Sequence, residues 1–109
     1  MDGIHVKPPM IVVESGDADV FETFEEALRY LEPYDVDKFV GYDSEGRLLR
    51  FIAAWPRITI ESAEERPRHA EDARKALIKF LQNVRASQQR LEDSTLQELF
   101  EISLNYKTR

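Results

Sequence analysis

The spacing of hydrophobic residues predicts short strands in the first half of the chain and longer helices in the second. The β-branched run at 10–13, followed by turn-forming residues, predicts a first strand. The pattern does not decide whether residues 20–21 form a short strand that returns along the first. Thr23 followed by Glu26 forms a capping box, and the apolar spacing after it predicts a helix over 24–32.

The segment "VGYDSEGRLLRFIAAW" at 40–55 predicts a hairpin. Its turn has the pattern of a three-residue loop with a left-handed glycine, which pairs Asp43 with Arg47. A four-residue loop would set Lys38 opposite Phe51 and waste the apolar face. The preferred register puts these residues on one face, with the tryptophan in the core: Phe39, Leu49, Phe51, Ala53 and Trp55.

The opposite face of this hairpin is too apolar for open water, so we expect it to be covered by the chain's own helices or by a second copy. We take it as the self-association surface of a homodimer. Its members are Val40, Tyr42, Leu48, Arg50 and Ile52.

The remaining pattern completes an α+β fold. Alternation at 57–61 predicts another strand, and residues 68–87 a long amphipathic helix lying on the face that contains Trp55. A capping box of Ser94 and Gln97 starts a last helix. The predicted order is β-α-β-β-β-α-α, with an antiparallel sheet of about four strands and helices packed on it. Residues 1–9 form a flexible N-terminal arm, and 10–109 a single domain.

Composition narrows the class of protein. A chain of 109 residues with 42% hydrophobic and 33% charged residues can bury one core, so one folded domain is expected. It has no cysteine, which fits a reducing compartment. The N-terminal apolar run is too short for a signal peptide or a membrane span. We therefore predict a cytoplasmic protein that does not bind membranes.

Candidate chemistry is sparse. The sequence has no glycine-rich phosphate loop and no nucleophile elbow, and neither His5 nor His69 has a second ligand at a usable spacing. We predict no catalytic residue, no metal site and no cofactor, although distant carboxylates meeting in a cleft stay open. A basic stripe of Arg68, Lys75 and Lys79 would suit nucleic acid, but the acidic half of the chain would repel phosphate.

The charge is unevenly distributed. The net charge is −6, with 12 acidic and 5 basic residues, or −7, over residues 1–54 and +1 over 55–109. Solubility alone could explain this, but tyrosines among acids suit an interface with a basic protein partner. The predicted binding residues are Tyr34, Asp35, Asp37, Tyr42, Asp43 and Glu45.

Two resemblances bear on function. "GYDSEGRLLRF" resembles one hairpin of the tyrosine-aspartate repeats of large bacterial toxins, but a single copy is common turn chemistry. As a short, acidic, cysteine-free α+β chain, the protein is similar in kind to bacterial immunity proteins, which inhibit toxins in the cytoplasm. That resemblance implies a non-enzymatic domain that occludes a basic toxin. The alternatives are a self-associating homodimer of unknown activity and, less favoured, a nucleic-acid-binding regulator.

Overall fold

A computed structural model describes residues 6–84 and 91–107. The strands of the described chain are β1 (Met10–Glu14), β2 (Asp17–Phe21), β3 (Phe39–Tyr42), β4 (Leu49–Ala54) and β5 (Arg57–Ser62). The α-helices are α1 (Phe24–Tyr30), α2 (Ala70–Asn83) and α3 (Leu96–Lys107). Two short 3-10 helices span Pro33–Lys38 and Leu91–Asp93.

The strands form two antiparallel sheets. One has the order β2-β1-β3, and the other contains β4 and β5. The α+β class is confirmed, but the prediction of a single sheet of about four strands is wrong. The returning strand left open at 20–21 is a full strand, β2, so the observed order is β-β-α-β-β-β-α-α.

The β3–β4 hairpin separates into two sheets soon after its loop. The Asp43 N–H donates to the Arg47 carbonyl at 3.0 Å, and Tyr42 bridges Leu48, as the three-residue loop predicts. Farther along, the Phe51 ring lies against Gly41, where a Cβ would come within 2.7 Å of Phe51 Cζ. Because Gly41 has no side chain, the ring packs directly on β3, and β4 does not continue alongside it.

Both faces of the three-stranded sheet pack against other elements. One face meets the β4–β5 hairpin and α1 in a cluster that we call the hairpin-side core: Met10, Val12, Phe21, Ala27, Leu31, Phe39, Leu49, Ile58 and Ile60. The other meets α2 and α3 in the helix-side core: Ile11, Val20, Leu77, Phe80, Leu81, Leu91, Leu99 and Phe100. Alternate residues of β1 enter opposite cores, as expected for a continuous apolar run.

This layering corrects the predicted position of the long helix. Leu77 of α2 is fully buried, but it packs with Ile11 and Val20 in the helix-side core and not on the face that contains Phe39. The hairpin covers that face instead. Trp55, predicted in the core, lies at the surface with 60% of its area exposed.

The helix starts follow capping chemistry. The Thr23 hydroxyl accepts from the Glu26 N–H at 3.1 Å, as predicted. For α3 the predicted box was one residue early. Thr95 and Glu98 cap each other reciprocally, with N–H to side-chain distances of 3.1 and 2.8 Å.

The described part of the predicted arm contacts the domain. The Ser44 N–H donates to the Lys7 carbonyl at 2.9 Å, and Val6 packs against the hairpin-side core. Residues 1–5, including His5, lie outside the described residues.

Candidate binding surface

Two exposed aromatic rings contact each other at the surface. Trp55 occupies the short turn between β4 and β5, and Tyr34 lies in the first 3-10 helix. Their ring centroids are 4.8 Å apart at an interplanar angle of 82°, an edge-to-face contact. Tyr34 is 76% exposed, so most of the pair's apolar surface faces water.

These rings border a groove of about 470 Å³ between the end of α1, the first 3-10 helix and the β4–β5 turn. We call it the aromatic groove. Its lining combines apolar surface with three charged side chains. The lining residues are Leu28, Arg29, Leu31, Glu32, Pro33, Tyr34, Trp55, Pro56 and Arg57. Within the described chain, neither arginine has a salt bridge.

Sequence reasoning missed this groove because strict alternation along β4 assigns Trp55 to the buried face. The strand, however, ends at Ala54. Pro56 follows the tryptophan, and a proline at this position favours a turn over a continuing strand. That proline is the signal that could have placed Trp55 at a surface turn.

The predicted acidic surface is divided. Tyr34, Asp35 and Asp37 lie in the 3-10 helix before β3, whereas Tyr42 and the loop acids lie at the other end of that strand. Tyr34 lines the aromatic groove, and Asp37 is exposed. Asp35 forms an ion pair with Lys38 at 3.8 Å.

Asp43 corrects the predicted surface most clearly, because it is fully buried. Its carboxylate accepts the backbone N–H groups of Glu45 and Arg47, both at 2.9 Å. The Arg47 guanidinium lies 3.5 Å from the second oxygen, and the Lys7 N–H donates to it at 3.4 Å. Asp43 therefore organises the loop and offers no exposed charge.

The other two members near the loop are also engaged. Glu45 contacts Arg47 and Lys7, and hydrogen bonds from Arg47 and then from Lys7 lower its pKa. Tyr42 packs against the helix-side core. Burial, followed by the nearby charge of Asp72, raises the pKa of Tyr42.

The residues of the predicted self-association surface have different surroundings. Val40 is 46% and Ile52 is 40% exposed, and they belong to different sheets. Tyr42 and Leu48 are half-buried. Arg50 is exposed and pairs with Glu61 at 2.9 Å across the hairpin.

Glu64 holds a second polar cluster beside the start of α2. Its Oε2 accepts the N–H groups of Leu48 and Arg68, both at 3.0 Å, and lies 3.0 Å from Nδ1 of His69. Desolvation pushes the pKa of Glu64 upward, but hydrogen bonds from His69 and the two N–H groups outweigh it and lower the pKa to about 2. This cluster joins the loop at 63–69 to the β3–β4 hairpin.

Among the described residues, no group of three or more histidine, aspartate or glutamate side chains is arranged to hold a metal ion. The described helices include none with the length and hydropathy needed to cross a membrane. Comparison with known proteins found no matching family model, no significantly similar curated protein and no significantly similar solved structure.

Proposed function

We propose that this chain is a non-enzymatic protein-binding domain of the cytoplasm that contacts its partner through the aromatic groove. The observation that carries the proposal is the exposed Tyr34–Trp55 pair, with centroids 4.8 Å apart. Tryptophan, tyrosine and arginine are the residues most enriched among those that dominate binding energy at protein interfaces. The groove contains all three.

The pair is also well prepared for binding. Tyr34 follows Pro33 in a short helix, and Trp55 sits in a tight turn between paired strands. Because each ring contacts the other, part of the side-chain freedom of both is already lost before association. An exposed aromatic pair held in this way favours a recognition role.

The two carboxylates that accept several backbone hydrogen bonds have structural roles, which supports binding over catalysis. Asp43 and Glu64 each accept two backbone N–H groups at about the ideal distance, from 2.9 to 3.0 Å. Carboxylates used in this way satisfy the backbone polar groups of turns and loops. Their hydrogen bonds account for them as structural groups.

We further propose that the partner is a basic protein, as for an immunity protein that occludes a toxin. The net charge of −7 in residues 1–54 would accelerate association with such a partner. Near the groove, Glu32 and Asp37 are exposed. Added salt should therefore lower the association rate and change the dissociation rate less.

Capture from lysate of the source cell, followed by mass spectrometry, tests the groove. Wild type is compared with Trp55→Ala and with Tyr106→Ala, which removes another exposed aromatic from α3. We expect a protein retained by wild type and Tyr106→Ala but lost with Trp55→Ala. The same proteins on all three would show that the groove is not the contact surface.

A second candidate is self-association, favoured by the exposed apolar side chains of Val40 and Ile52. Both lie on edge strands of their sheets, and the unpaired backbone groups of an edge strand can pair with a second copy. Neither residue lines the aromatic groove, so this candidate uses a different set of side chains.

A further inference from the structure

The basic residues of the strand-rich part of the chain differ in whether a carboxylate pairs with them. Over the described residues 6–62, those with a carboxylate partner are Lys7, Lys38, Arg47 and Arg50. Arg29 and Arg57 are the exceptions within that range, and both line the aromatic groove. The two unpaired positive charges are therefore concentrated at the surface proposed to bind a partner.

An unpaired arginine beside an apolar surface has a defined preference. Its planar guanidinium forms two parallel hydrogen bonds with a carboxylate, and it sheds water more easily than an ammonium group. Next to Arg29 and Arg57, the rings of Tyr34 and Trp55 provide two walls at nearly a right angle, 82°. These walls suit an aliphatic or aromatic side chain.

We infer that the aromatic groove receives a protein segment that presents an apolar side chain next to an aspartate or glutamate. The apolar side chain lies against Trp55, and the carboxylate pairs with Arg57 or Arg29. This inference rests on the proposed function and adds the chemistry of the segment bound. It is consistent with a basic partner overall, because net charge governs the approach whereas local pairs fix the register.

Charges near the groove favour a peptide over a nucleic acid. Glu32 lines the groove, and Asp35 and Asp37 belong to the same 3-10 helix that supplies Tyr34. A nucleic acid would bring successive phosphates close to these carboxylates. A peptide with one acidic side chain can meet an arginine without that repulsion.

Selection from random linear peptides displayed on phage tests the inference. The targets are wild type, Trp55→Ala, and a double variant with Arg29→Glu and Arg57→Glu. The matched control carries Lys75→Glu and Lys79→Glu on α2, which line a different groove. Circular dichroism verifies that each is folded, and Arg29→Gln with Arg57→Gln replaces the double variant if it is not.

We expect wild type and the α2 control to enrich peptides with an acidic residue beside an apolar one. These peptides should bind the Arg29/Arg57 double variant about tenfold to a hundredfold more weakly, the loss expected for a charge-assisted pair. The Trp55→Ala variant should enrich none of them. In turn, the charge-reversed variant should select lysine or arginine beside the same apolar residue.

Three results would overturn the inference. Peptides that need Trp55 but show no acidic preference would contradict it and leave the proposed function standing. Enrichment that is unaffected by Trp55→Ala, or no enrichment on wild type, would contradict a peptide-binding groove altogether. Quenching of Trp55 fluorescence by a single-stranded thymidine oligonucleotide, abolished in the charge-reversed variant, would assign the groove to nucleic acid.

Discussion

Two acidic side chains act as backbone ligands around the β3–β4 hairpin. Asp43 accepts N–H groups within its own loop, and Glu64 connects the hairpin to the residues before α2. Each replaces hydrogen bonds that water or a regular ladder would otherwise provide. The loop geometry therefore depends on side-chain chemistry at two positions.

Glu64→Gln should lower the free energy of unfolding by about 1–3 kcal/mol at neutral pH, since charged acceptors make stronger hydrogen bonds than amides. The pKa of Glu64 is lowered from 4.5 to about 2 on folding. Its ionised form thus stabilises the protein above pH 4.5, and the contribution disappears as the pH falls toward 2.

Denaturant unfolding of wild type and Glu64→Gln across this pH range measures the difference. Two curves that converge as the pH falls from about 4.5 to about 2 are expected from this linkage. A constant difference at every pH would mean that the carboxylate charge contributes nothing.

At the scale of elements, the hairpin loop docks closely on the beginning of α2. The His69 N–H donates to the Gly46 carbonyl at 2.9 Å. A Cβ on Gly46 would lie 2.4 Å from the Ala70 Cα. Glycine is required there for the positive φ of 92° and for the contact with the helix.

Two glycines with nearly the same φ separate these requirements. Gly16 has φ of 93° but nothing within 4 Å of its Cβ position, so Gly16→Ala should cost only the backbone term of about 1–2 kcal/mol. Gly46→Ala should cost about 1–3 kcal/mol more, because the methyl group collides with α2. Equal unfolding midpoints for the two variants would contradict the close docking.

Removing a large side chain should cost more stability in a core than at the surface. Leu77→Ala, in the helix-side core, should destabilise the fold by about 2–5 kcal/mol. Trp55→Ala removes a larger side chain but should cost about 1 kcal/mol or less, because it loses mainly the contact with Tyr34. Thermal and denaturant unfolding compare them. A larger loss of stability for Trp55→Ala than for Leu77→Ala would mean that the tryptophan is buried in the core.

Local patterns in the sequence predict much of the fold. The capping box at Thr23, the helical spacing around Leu77 and the turn chemistry at Asp43 each act over a few residues. The division into two sheets is accompanied by the packing of Phe51 on Gly41, a contact that hairpin register alone does not determine. Alternation cannot distinguish two buried faces from one, so α2 was assigned to the wrong layer.

The candidate site was less predictable for a related reason. Tyr34 is a predicted binding residue because acidic residues lie near it in the sequence. Placing Trp55 at the surface requires knowing that β4 ends before it. Asp43 is buried and accepts a hydrogen bond from the backbone N–H of Lys7, 36 residues away. Such contacts between distant segments exist only once the fold has formed.

For the whole molecule, the distribution of exposed apolar residues bears on assembly. The partly exposed side chain of Ile52 lies opposite Thr59 on β5, and Arg50 and Glu61 form an ion pair between the same two strands. Arg57, which lines the aromatic groove, pairs with Ala54 at the end of the same hairpin. A second copy bound at Ile52 would thus lie beside the groove.

Ile52→Asp tests whether the hairpin surface holds two copies together. Because Ile52 is 40% exposed, the variant should stay folded by circular dichroism, with the introduced charge in contact with water. If wild type is dimeric by light scattering, the variant should be monomeric. A wild type that is monomeric at high concentration, or a variant that remains dimeric, would contradict this interface.

The proposed binding surface requires Trp55 to be exposed, and acrylamide quenching of its fluorescence tests that exposure most directly. Trp55 is the single tryptophan of the chain, so the emission reports on this position alone. We expect the emission of a hydrated indole and quenching in the folded protein close to that of the unfolded chain. Emission typical of a buried indole, protected from acrylamide until the protein unfolds, would contradict it.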